Sequence, residues 1–320
     1  MSRWETPTLA GVLAARARIA PHLPRTPLYG YSQLDELLGA QVYVKHENHQ
    51  PVGAFKVRGG VNLVAQLSQD QRERGMIAAS TGNHGQSLAF AGRRFGVTAR
   101  ICVPEQANPV KMAAMEGLGA ELIVHGADFD DARENAERLA QEKGYRYVHS
   151  GNEPHLIAGV ATEVLEILEQ QPDVEVVIVP VGGGSGAAGA CIVAAAVNPE
   201  LEVIGVQSEA APAAYLSWKD GRAVEAETHT YAEGLATRAP FELPQEIMRT
   251  HLHDFVLVSD DEIRSAQRTM IEMTRNLVES AGASPLAAAL KLKDALRGRR
   301  VALVASGGNV SRDQLLEILA

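Results

Sequence analysis

Lys56 stands between an aromatic residue and a glycine-bounded helix start in the stretch GAFKVRG, Gly53 to Gly59. A lysine serves as a Schiff-base nucleophile only when its amine is partly desolvated, so that its pKa falls and the neutral form is available. On this heptapeptide alone, an exposed lysine in a basic loop with Arg58 fits at least as well. A second group, STGNHGQ from Ser80 to Gln86, follows the apolar run 76–79 and opens a helical stretch. Hydroxyls, an amide and free backbone N–H groups at a helix start make an anion site suited to a carboxylate, with plain helix capping by Ser80 or Thr81 as the simpler account. The third group, GGGSGAAG from Gly182 to Gly189, lies between a strand and a helix. Its glycines let backbone N–H groups close around a phosphate at the positive end of the helix dipole. Gly184, Gly186 and Gly189 also have the G-x-G-x-x-G spacing of a dinucleotide loop, with Glu209 after the next strand as a ribose-binding acid would be. Such a fingerprint usually follows the first strand of its domain, whereas here at least four strands precede it. The fourth group, SGGN from Ser306 to Asn309, follows an apolar strand at the end where open α/β sheets place ligands, although a plain turn is an equal account.

These groups need a scaffold that gathers strand ends. Strands are read at 42–45, 76–79, 99–103, 121–124, 176–181, 203–207, 255–258 and 301–305. Helices alternate with them at 61–74, 84–95, 109–118, 128–143, 155–170, 186–197, 260–281 and 284–296, after a short N-terminal helix. Asp128, Ser259 and Ser284 are the expected N-caps. The alternation predicts an α/β fold of open parallel sheets covered on both faces. The stretch 221–253, rich in turn residues and histidines, reads as a surface excursion that could lie near the site.

At 320 residues and 46% hydrophobic composition the chain can bury a large core, and ~150 residues per domain suggests two domains. Its 39 acidic and 30 basic residues give a net charge of -9 with no basic block, which argues against a nucleic-acid partner. Cys102 and Cys191 each lie in an apolar run and read as buried thiols rather than a disulfide or metal site. The N-terminus lacks an apolar core of signal-peptide length, so a cytoplasmic protein is expected. Residues 176–197 carry no charge, but five glycines and Pro180 favour a strand, a turn and a helix over a membrane span. No effector domain is expected beyond the helix that follows Asn309.

Together and in this order, the four groups resemble those of the fold-type II pyridoxal-phosphate enzymes, in particular the threonine/serine dehydratase and serine racemase group. The resemblance spans Pro27 to Asn309. It implies a tryptophan synthase beta-like fold of two open parallel-sheet domains with pyridoxal 5'-phosphate between them. The larger would comprise 1–74 plus 151–320, and the smaller, inserted at 75–150, would carry the substrate carboxylate loop. By similarity Lys56 forms the Schiff base, Phe55 packs against the cofactor ring and Asn83 bonds the ring hydroxyl. Gly182, Gly183, Gly184, Ser185 and Gly186 would hold the phosphate, and Ser306 would face the pyridine nitrogen. Ser80, Thr81, Gly82, Asn83 and His84 would bind the substrate carboxylate. A neutral hydroxyl does not keep the pyridine nitrogen protonated, so a carbanion at Cα should expel a β-hydroxyl quickly. The implied reaction is elimination of water, then ammonia, from a small β-hydroxy amino acid. L-threonine is the first expectation and L-serine the second.

Several positions depart from the family pattern. Thr81 stands where threonine dehydratases often carry alanine and serine racemases a serine that reprotonates the opposite face, which leaves weak racemase activity open. Glu209 is followed six positions on by Tyr215 instead of an aspartate, so no divalent metal is expected. Ala54 replaces a common serine without touching the reactive lysine. The segments 232–238 and 278–289 match those lining the cofactor cavity. There Glu279 is a candidate ring neighbour and Arg238 a candidate for a second substrate carboxylate, a solvated glutamate and a surface arginine being the simpler accounts. A homodimer or homotetramer is implied. The alternatives are a threo-3-hydroxyaspartate or phenylserine ammonia-lyase, a serine racemase, an NAD-dependent dehydrogenase, and a catalytically silent metabolite-binding relative.

Overall fold

The structure, a computed structural model, describes residues 4–319. Its strands in chain order are β1 (Leu28–Gly30), β2 (Gln41–His46), β3 (Met76–Ala79), β4 (Ala99–Val103) and β5 (Glu121–Val124), then β6 (Arg146–Tyr147), β7 (Val176–Pro180), β8 (Glu202–Ser208), β9 (Asp254–Val258) and β10 (Arg300–Ala305). They form a six-stranded sheet in the order β1-β2-β10-β7-β8-β9 and a four-stranded sheet in the order β5-β4-β3-β6. All eight expected strands are present. The unexpected β1 and β6 are three and two residues long, too short to show any periodicity. Every pairing is parallel except β1 with β2.

Parallel strands covered on both faces must be apolar on both faces, and β7 and β10 show how. Val177, Val179, Ala302 and Val304 pack into one core with Val164, Ile167 and Ala188. The alternate residues Val176, Ile178, Val301 and Leu303 pack into a second core with Ile263, Met270 and Leu286. The second sheet repeats this layering: Met76, Ala78 and Ile101 meet Val57, Val61 and Leu88, while Ile77, Ala79 and Cys102 meet Ala132 and Ala136. Both cysteines are buried and free. Residues 176–197 form β7, a turn and the helix Ser185–Val197, and no helix among the described residues is long and apolar enough to cross a membrane.

Four expectations are corrected. The helix expected at 61–74 begins at Lys56, ends at Val64, and is followed by a separate helix, Gln69–Arg74, opened by a capping box at Ser68. The helix expected at 260–281 stops at Thr274, because Arg275 takes a left-handed φ of 60°. The chain restarts in the helix Ser280–Lys291, so Ser284 lies inside a helix instead of capping one, and Glu279 sits at the N-cap position. The stretch 221–253 is no mere surface excursion, since it holds the helix Glu242–His251 with Leu243, Ile247 and Met248 buried. Asp128 and Ser259 cap their helices as expected, each accepting a backbone N–H three residues on.

Candidate active site

In a parallel sheet the loops leaving the carboxyl ends of neighbouring strands emerge side by side. β2, β10 and β7 are neighbours, so the Gly53–Gly59 group, the Ser306–Asn309 group and the glycine loop converge at one edge. Backbone bonds lock the first two together: Phe55 N–H donates to the Ser306 carbonyl, and Gly308 N–H to the Gly53 carbonyl, each at 2.9 Å. In the second sheet β3 and β6 are neighbours, so the Ser80–Gln86 group lies beside the loop that follows Tyr147. Between the two edges is a cavity of about 770 Å³, and every residue that the resemblance places at the cofactor or substrate lines it, Arg238 and Glu279 included.

Lys56 opens its helix and is half-buried. Its Nζ donates to Ser185 Oγ at 2.7 Å and to the Ser150 carbonyl at 3.1 Å. Neither partner is an anion. Burial pushes the amine pKa down to about 8, against a weaker opposing pull from Glu163. The Ser185 hydroxyl that receives the amine belongs to the first residue of the 13-residue helix Ser185–Val197. Gly184, ahead of it, has a left-handed φ of 84°. A Cβ on Gly183 would lie 2.1 Å from Phe241 Cε2, so that stretch of backbone is reserved for glycine. A cradle of bare N–H groups at a helix start, adjoining a depressed amine, fits a phosphate-bearing aldehyde such as pyridoxal phosphate.

The second edge supplies neutral groups. Ser80 Oγ accepts the N–H groups of Gly82 at 3.2 Å and Gly85 at 2.9 Å, so it shapes its own loop. Thr81 and Gly82 are half-buried on the cavity wall. His84 is buried with Nε2 facing the Val148 carbonyl at 3.3 Å, and its Nδ1 has no partner. Burial, then the charge of Lys56, lowers its pKa to about 3, so it is uncharged. Asn83 is held at both ends of its amide: Nδ2 donates to Glu279 Oε1 and Oδ1 accepts from Asn309 Nδ2, both at 2.8 Å. Glu279 is half-buried on the cavity wall instead of solvated on a helix, and burial raises its pKa to about 7. Ser306 is buried beside it. Arg238 is 66% exposed at its side chain, where it pairs with Asp130 across the cavity at 3.5 Å.

Other lining residues carry no signal in the four motifs. His149 and Asn152 follow β6, Phe241 precedes the Glu242–His251 helix, and Arg133 and Glu137 lie four residues apart on the helix Phe129–Lys143. The charged pair is visible as a helical i,i+4 spacing, but that spacing normally marks a solvated face. The HSGNE stretch at 149–153 resembles STGNH in composition and position, and that likeness was the available signal.

The sequence matches the family of pyridoxal-phosphate dependent enzymes over residues 19–307, and the chain belongs to that family. It is 40% identical to an L-threonine ammonia-lyase of Thermotoga maritima, over 98% of this chain and 78% of that protein. It is 35% identical to an L-threo-3-hydroxyaspartate ammonia-lyase of Saccharomyces cerevisiae, over 98% and 97%. The structure of maize serine racemase superposes with a TM-score of 0.94 at 30% identity, covering 98% of this chain and 97% of that one. The fold is thus the tryptophan synthase beta-like fold of type II. The dinucleotide reading is set aside, and Gly189 has a packing reason instead: a Cβ there would lie 2.9 Å from Ala161 Cα in the neighbouring helix region.

Proposed function

We propose that the protein is an ammonia-lyase that converts L-threonine, and also L-serine, to the 2-oxo acid and ammonia. The observation that carries this reading is the Lys56 amine, lowered to about 8 and bonded only to neutral oxygens of Ser185 and Ser150, at the mouth of a glycine cradle. When bound, pyridoxal phosphate supplies an electron sink for negative charge at the substrate Cα. The N–H groups of Gly182 to Gly186 and the Ser185 hydroxyl would hold its phosphate, Phe55 would pack on its ring, and Asn83 and Ser306 would meet the ring's polar edge. Lys56 would anchor the group and, once the substrate amine displaces it, take the proton from Cα. The Ser80–His84 loop would hold the substrate carboxylate with neutral donors. Threonine is favoured over a dicarboxylic substrate because the cavity's arginines and Lys111 already face acids. Arg238 pairs with Asp130, Arg133 with Asp130 and Glu137, and Lys111 with Glu233.

The division into 1–74 plus 151–320 and an inserted 75–150 belongs to the same proposal, because the carboxylate loop and Lys56 sit on different sheets. Closure on substrate follows from it, and limited proteolysis that a substrate analogue leaves unchanged would argue against closure. A cytoplasmic homodimer or homotetramer completes the reading, with sedimentation velocity as its check. The substrate test is a panel of L-threonine, L-serine, threo-3-hydroxyaspartate and phenylserine scored by 2-oxo acid release. The highest kcat/KM is expected for L-threonine, and a higher value for 3-hydroxyaspartate would show that the paired arginines do not govern choice.

A further inference from the structure

β6 spans only two residues, yet its pairing with β3 sets His149 next to the carboxylate loop, on the cavity wall. The next residue, Ser150, offers its carbonyl to the Lys56 amine. His149 Nδ1 accepts two backbone N–H groups, from Gly151 and Asn152, both at 3.0 Å. Two donors converging on one ring nitrogen leave no room for a proton there, so the neutral ring carries its proton on Nε2. Burial, reinforced by the charges of Lys56 and Arg133 and opposed by Glu137, lowers its pKa to about 4, and the ring is uncharged at neutral pH. Phe241 meets the ring edge-on, with centroids 4.6 Å apart and planes at 81°. Phe241 is itself wedged against Gly151 and Gly183, where a Cβ would approach its ring to 2.3 and 2.1 Å. The imidazole is thus fixed in tautomer and in plane, while Nε2–H makes no hydrogen bond to any described residue.

We propose that the Nε2–H of His149 donates a hydrogen bond to the β-hydroxyl of the substrate, making His149 a residue that selects β-hydroxy amino acids and orients the departing oxygen. The proposal rests on the lyase reading above. A neutral imidazole is too weak an acid to surrender its proton, so His149 polarises the C–O bond and keeps its hydrogen throughout. A neutral donor also suits an uncharged hydroxyl in a cavity whose arginines are already paired. A site built around such a bond discriminates against a substrate that cannot accept it.

The test compares L-serine with β-chloro-L-alanine, whose leaving chloride is a poor hydrogen-bond acceptor, in the wild-type holoenzyme, H149F and H149Q. H149F is expected to lower kcat/KM for L-serine by about tenfold or more, the worth of one hydrogen bond, and to change chloroalanine turnover by less than roughly threefold. H149Q, which keeps an N–H donor, is expected to recover part of the serine loss. If H149F does not fold, H149A read by the same ratio replaces it. Equal losses on both substrates would mean that His149 only shapes the site, and an unchanged serine rate that it does nothing there; either result overturns the proposal. Should the wild-type holoenzyme release pyruvate from neither substrate, the lyase reading itself falls and takes this one with it.

Discussion

Lys56 and Arg58 stand two residues apart on one helix and meet opposite surroundings. Arg58 is 1% exposed and caged by carboxylates: Nε and Nη2 donate to Glu47 at 2.7 and 2.8 Å, while Nη1 and Nη2 donate to Glu166, both at 2.8 Å. Lys45 joins the cage through Glu166 Oε2 at 2.6 Å. Burial alone would lower the Arg58 pKa, but Glu47 and Glu166 overcome it and raise it. Lys56 has no such anion and is lowered instead. Glu163 stands between the two environments, 1% exposed, with an Oε2 that has no partner. Burial, then the charge of Glu47, raises its pKa well above the usual carboxylate range, and its pull on the Lys56 amine is weaker than the burial that lowers that amine. One helix therefore makes a structural cation by saturating it with carboxylates, and a reactive amine by withholding them.

That contrast can be broken at either end. Replacing Lys56 with alanine should abolish oxo-acid release while changing the urea unfolding free energy by less than about 1 kcal/mol, since no ion pair is lost. Replacing Arg58 with methionine should do the reverse, lowering stability by about 3–5 kcal/mol because Glu47 and Glu166 are left buried around an uncharged side chain. A mild loss from R58M would mean that the cage is wetter than it looks. The lowered amine also has a kinetic signature: cofactor capture by the cofactor-free protein should quicken with pH around a midpoint near 8, far below the ordinary lysine value of 10.5. E163Q should lower that midpoint slightly, because Glu163 exerts the one opposing pull on the amine, and an unchanged midpoint would show that this pull is absent.

Glu279 sharpens the point for an acid. Its pKa is raised from 4.5 to about 7, so between those values the folded protein holds a proton that the unfolded chain releases. Its contribution to stability is present below 4.5 and is lost as pH rises through 7. E279Q should flatten that slope in unfolding measurements across the window. The smallest effect belongs to R238A, whose exposed pair with Asp130 is worth at most about 1 kcal/mol and whose loss should leave L-threonine kcat/KM within roughly twofold.

Much of this was legible in the sequence, for a physical reason. A strand buried on both faces must be apolar throughout, which is why runs such as VVIVPV stand out, whereas β6 is held by register with β3 and leaves no pattern. The four motifs were readable because backbone donors at strand ends require glycines, hydroxyls and amides in sequence. His149 was missed because the strand before it is two residues long, so the likeness of HSGNE to STGNH had no visible strand to place it at a sheet edge. The left-handed turn at Arg275 was missed because the apolar spacing runs on past it, and the error placed Glu279 on a helix when it faces the cavity. The burial of Arg58 could not be read from GAFKVRG, since the carboxylates that cage it lie at positions 47 and 166.

The most direct test is the visible spectrum of freshly purified protein, recorded before and after adding L-threonine while 2-oxobutanoate is assayed. A pyridoxal-phosphate absorption band that changes as the oxo acid appears is the expected result, and K56A should show neither. Protein that neither retains pyridoxal phosphate nor binds it when added back would contradict the account at its centre, the reactive amine of Lys56.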